Sequence, residues 1–212
     1  MFRRRLQASI LHIGGALREP EAFAVRWHRE ERPYSWWVFL DLALTAILGT
    51  TTYGMAMGIS GGAGRMFVAA LKFTVAAGIA WSLPLPALYI LNSLSGSQLR
   101  ASTTFLAALV TTSWGGLAMI ASIPITWFFT VAVAGDWQPA VVLLVNLVVF
   151  TGVGLAMIDV FSRVLERLEP SRGRAPAWWL LLVGAIGAEL FYAFGLFEFA
   201  ALERPLLFIT RL

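Results

Sequence analysis

The chain has no cysteine, two histidines and one lysine, and only 13% of its 212 residues are charged. Each shortage removes a class of chemistry. Without cysteine there is no disulfide and no thiol catalysis. Both histidines, His12 and His28, precede the first long apolar run, so neither is placed to ligate a haem or chlorin inside a membrane. A metal site would have to be built from carboxylates alone, and neither a metal nor a cofactor is expected. The charged share is about half of the roughly 25% usual in soluble globular domains, while 58% of residues are hydrophobic. That balance argues against a water-soluble single domain and for a membrane protein. The net charge of +4 comes with no basic, aromatic-interleaved motif, so nucleic acid is not among the expected partners.

What the chain does have is long apolar runs separated by arginine-bearing segments. A bilayer core about 30 Å thick takes roughly 20 apolar residues of helix, and five runs qualify: 37–59, 66–94, 103–134, 138–160 and 177–200. Together they predict a transmembrane domain over 37–203, followed by a short periplasmic tail, 204–212. Pro84 and Pro86 predict a kink in the second run near Trp81. Gly115, Gly116 and Pro124 predict a bent third helix, and Gly54 and Gly58 offer a close helix crossing within the bundle.

Residues 1–36 are polar and rich in arginine, and read as a cytosolic or interfacial segment. Phe2, Leu6, Ile10, Ile13 and Leu17 recur at spacings of three and four, which predicts an amphipathic helix over 2–17. Arg3, Arg4 and Arg5 would hold its start against anionic lipid headgroups. A mostly flexible basic tail is the plainer alternative. Gly14 and Gly15 interrupt the apolar stretch and no cleavage site follows, so a signal peptide is not expected. A second short helix is expected to begin at Pro20 and end before Pro33.

Orientation follows from arginine. The N-terminal segment, the connection at Arg100 and the connection bearing Arg163, Arg167, Arg172 and Arg174 hold twelve arginines, against three on the other side, Arg65, Arg204 and Arg211. The positive-inside rule then puts the N terminus in the cytoplasm and the C terminus in the periplasm of a bacterial inner membrane.

Charges inside the apolar runs are the candidates for chemistry. Lys72 enters from the outer side and Glu189 from the inner, and at about 1.5 Å per residue both reach a similar depth. An intramembrane charge is costly alone, so a Lys72–Glu189 pair that orders the helices is the favoured reading. An ion or proton path through Lys72, Glu189, Asn146 and Glu198 is the competing one, although no inverted repeat supports it. Asp41 and Asp159 fall at the cytosolic boundary, where capping and pairing with Arg163 or the first-segment arginines is the plain expectation. Ser93, Ser95 and Ser97 have no membrane histidine to serve as base, and GISGGAG lacks the lysine of a phosphate loop. No enzyme is expected.

The passage REPEAFAVRWHREERPYSWWVFLDLAL, a tryptophan-led span after an arginine-rich segment, resembles bacterial members of the Yip family, relatives of the Rab-interacting membrane proteins of eukaryotes. The exit LPALYILNSLSGSQLRASTTFLAAL is also similar to that family, and the likeness covers roughly residues 15–200. It implies a five-span, non-enzymatic protein acting in membrane organisation or trafficking, with no active-site residue to carry over. The expectation is therefore an all-α, polytopic helical bundle of five transmembrane helices with an N-terminal amphipathic interfacial helix. Its role would be that of a membrane organiser or an accessory subunit of a larger complex, with the lipid bilayer and other membrane subunits as partners. The alternative is a small transporter or channel component using Lys72 and Glu189.

Overall fold

The computed structural model of the chain describes residues 11, 13–29, 36–172 and 178–197. Every regular element among them is helical: α1 (Pro20–Arg29), α2 (Trp36–Met57), α3 (Gly62–Ser82), α4 (Leu85–Leu94), α5 (Ala101–Ala132), α6 (Gln138–Leu168) and α7 (Trp178–Ala193), with single 3₁₀ turns at Ile59–Gly61 and Pro170–Arg172. Four stretches are long and apolar enough to cross a membrane: Trp36–Met57, Ile59–Leu94, Ala101–Ala132 and Gln138–Leu168.

The proline pair breaks the second stretch where expected. α3 ends at Ser82 and α4 restarts with Pro84 as its cap, and the backbone stays satisfied across the join because Leu83 N–H donates to Ile79 O at 2.9 Å and Leu88 N–H to Pro84 O at 2.8 Å. α5 carries Pro124 without interruption as one helix.

Glycine sets how closely the central helices approach. Gly49 of α2 sits directly on the backbone of Gly116 in α5, so that a Cβ on Gly49 would collide with that backbone, and one on Gly116 would press on Ala46 Cα at 3.1 Å. The Gly54 and Gly58 pair seats α2 on α3: a Cβ on Gly54 would lie 2.7 Å from Ala70 Cα and one on Gly58 2.7 Å from Arg65 O. Removing side chains from a crossing lets backbones close where lipid supplies no hydrophobic drive. Ser113 in α5 also donates to Leu42 O at 2.6 Å.

The described part of the N-terminal segment contributes to the protein core. Residues 13–18 are helical, and Ala16, Phe23, Ala24 and Trp27 are buried against Val38, Leu42, Leu106, Val160 and Val164. The Trp27 ring meets Phe39 edge-on at 5.1 Å. The expected surface helix over 2–17 lies mostly outside the described residues, as do Arg3, Arg4 and Arg5. In the part that is described, Ala16 is buried, Ile13 and Leu17 are half-buried and Leu11 is exposed, while α1 turns Phe23, Ala24 and Trp27 to the bundle.

The expected fifth span, 177–200, is a shorter helix. α7 has 16 residues, about 24 Å at 1.5 Å per residue, and ends at Ala193 because Gly195 adopts a left-handed φ of 61°. Leu196 N–H then reaches back to Phe191 O and Gly195 N–H to Tyr192 O, both at 2.9 Å, which is the Schellman closure of a helix C terminus. Residues 198–200 lie outside the described residues.

Candidate functional site

α3 and α7 run side by side in opposite directions. Gly187 faces Ala80, Phe191 stacks on Phe73 at 5.3 Å, and Phe194 meets Lys72. This register fixes the surroundings of both intramembrane charges.

Lys72 does not pair with Glu189. Its Nζ donates to the Phe194 carbonyl oxygen at 2.7 Å. The reason lies in how α7 ends: the Schellman bonds consume the carbonyls of Phe191 and Tyr192, while that of Phe194 has no helical partner. An ammonium at this end also complements the negative pole of the helix dipole. Lys72 is therefore a capping residue for a helix that stops inside the bundle.

Glu189 points the other way. It lies two residues from both Gly187 and Phe191, about 200° around a helix of 3.6 residues per turn, and it is exposed. It forms no hydrogen bond or ion pair with any described residue. By the α3–α7 register its level falls between Phe73 and Ala80, near the middle of the Ile59–Leu94 stretch.

A second polar cluster among the spans is engaged internally, whereas the buried Thr104 hydroxyl of α5 has no hydrogen-bond partner among the described residues. Tyr53, fully buried, donates to Asn146 Oδ1 at 2.8 Å and shares a 3.0 Å hydrogen bond with Thr126, while Asn146 Nδ2 donates to Val142 O. Asn146, expected on an ion path with Lys72, thus joins α2, α5 and α6 instead. Glu198 lies outside the described residues.

At the end of the bundle where α1 docks, Arg163 bridges Asp159 at 3.2 Å and Glu21 of α1 at 3.0 Å. The Asp159–Arg163 contact is the expected one; Asp41 does not join it, its side chain lying on α2 one turn from Thr45, which donates to Asp41 O. Two carboxylates missed in the sequence matter here. Glu21 ties α1 to α6, and Glu169 clamps the loop after α4, accepting from Ser97 Oγ at 2.6 Å and Gln98 N–H at 2.7 Å.

A cavity of about 570 Å³ opens between α2, α3, α5, α6 and α7, walled by Ile47, Phe73, Leu109, Phe150 and Phe191 among others, with no charged residue in its lining. No group of three or more His, Cys, Asp or Glu residues able to hold a metal occurs among the described residues. No family model matches the chain, and no curated protein or solved structure matches it.

Proposed function

We propose that the chain is a non-enzymatic, five-span membrane protein that serves as an organiser or accessory subunit of a larger membrane assembly. One observation carries this reading: Glu189 faces outward at mid-span. An ionisable group in hydrocarbon is expensive, and such groups nearly always face protein or water. In the isolated chain Glu189 would face lipid. A neighbouring subunit that brings a cation or hydrogen-bond donor to this face of α7 removes that cost. The face has room for close approach, since Ala185, one turn from Glu189, is small and also exposed.

In this reading α7 is the fifth span. The N terminus is cytoplasmic, the C terminus periplasmic, and the host membrane is a bacterial inner membrane. The resemblance of REPEAFAVRWHREERPYSWWVFLDLAL to the Yip family is in keeping with the same proposal. The transporter alternative loses the residue pair it relied on, because Lys72 is spent on Phe194 O.

The test is the mass of the assembly extracted in native lipid. Wild type should run as a complex well above the 23.2 kDa of one chain, and Glu189→Leu should release the single chain with its spans still inserted. A wild-type protein found alone would overturn the proposal.

A further inference from the structure

We propose that the cavity between α2, α3, α5, α6 and α7 is a binding site for one acyl chain of a membrane lipid. The inference needs the chain to span a bilayer, as the proposed function does, but not the assembly through Glu189.

Three observations lead there. The first is size. At about 570 Å³ the cavity falls in the range of roughly 300–1,000 Å³ typical of small-molecule sites, whereas close-packed interiors hold few voids larger than a water molecule. Glycine widens it from three sides: a Cβ on Gly78, Gly154 or Gly184 would meet nothing within 4 Å.

The second is chemistry. Water in a cavity needs two to four polar partners, and the lining offers few. Thr50 donates to Ala46 O and Thr112 to Leu109 O, both at 3.0 Å, and Thr74 pairs with Thr51 at 2.9 Å. An ionic headgroup would find no counter-charge on the walls. The occupant is therefore apolar.

The third is access. The cavity is only partly enclosed, and its lining residues Ile47, Gly78, Leu155 and Gly184 are exposed, so in a bilayer its opening meets lipid. An occupant enters sideways from the membrane, and the apolar molecule present there in excess is a lipid tail. Inside it would lie against the Phe73, Phe150 and Phe191 rings, mutually 5.1–5.3 Å apart.

The experiment uses the full chain in vesicles of phosphatidylethanolamine and phosphatidylglycerol doped with a phosphatidylglycerol that carries a photoactivatable group along one acyl chain. Labelling should map to α3 and α6 peptides around Phe73–Gly78 and Phe150–Gly154. Gly154→Leu, which fills the cavity, should lose that labelling, while Val148→Phe, on the exposed face of α6 outside the lining, should keep it. Native mass spectrometry of wild type after delipidation should retain one lipid per chain, a readout that stands even where Gly154→Leu fails to fold. Labelling spread evenly over outward faces, or a wild-type chain stripped of all lipid, overturns the proposal. Failure to insert into the vesicles at all would instead overturn the membrane reading beneath it.

Discussion

Lys72 Nζ and the carbonyl oxygen of Phe194 lie 2.7 Å apart, joining the middle of α3 to the end of α7. The contact explains how a helix can stop within the bundle without stranding its last carbonyl. It also changes what mutation should do. Lys72→Met should destabilise the protein by about 1.5–3 kcal/mol, the usual worth of a hydrogen bond to a charged group, and Lys72→Arg should recover part of it. In the isolated chain Glu189→Gln should be neutral, and the double variant Lys72→Met/Glu189→Gln should show the sum of the single effects within about 0.5 kcal/mol. Thermal unfolding in detergent checks this. Rescue in the double variant would restore the Lys72–Glu189 pair that the sequence suggests.

Two glycine substitutions should have opposite signs. Gly49→Ala drives a methyl into the Gly116 backbone and should cost about 1–3 kcal/mol by overpacking. Gly152→Ala, on the exposed face of α6 with nothing within 4 Å, should gain about 0.5–1 kcal/mol from helix propensity. The comparison is made by unfolding both in the same detergent.

Tyr53→Phe should loosen the α2–α5–α6 junction, because it leaves Asn146 Oδ1 and the Thr126 hydroxyl without their tyrosine partner. Intramembrane hydrogen bonds average about 0.6 kcal/mol and reach about 1.7, so a small loss is expected. Tyr53→Phe combined with Asn146→Leu should cost no more than Asn146→Leu alone.

The clamp on the loop after α4 predicts a local effect. Glu169→Ala removes the acceptor for both Ser97 and Gln98. Amide exchange at Gln98 should accelerate while that of α5 and α6 stays as in wild type. Uniform acceleration would mean that Glu169 holds more of the fold than this loop.

Much of the architecture was legible because apolar length, proline and arginine are written directly in the sequence. Pro84 divides the second stretch as its missing N–H requires. The site was less legible. Lys72 stands out in any reading, but its partner is a backbone oxygen, which no residue letter announces. Gly195 was the available signal, since a glycine closing an apolar run marks a helix end. The outward turn of Glu189 was hidden because α7 is apolar on every side, so its rotation depends on which side chains pack against α3. Phe23, Ala24 and Trp27 likewise mark an apolar stripe on α1 without saying whether lipid or protein covers it.

Orientation is tested by reporters. One fused after Ser171 should read cytosolic and one after Leu212 periplasmic. A cytosolic result after Leu212 would mean that the chain beyond α7 turns back.

The most direct test of the central claim places a photo-crosslinking residue at Ala185, one turn from Glu189 on the exposed face of α7, and for comparison at Val148 on the exposed face of α6. In native membranes the Ala185 position should capture a protein, giving an adduct heavier than the 23.2 kDa chain, while Val148 captures lipid. Lipid alone at both positions would leave Glu189 facing the bilayer and contradict the account.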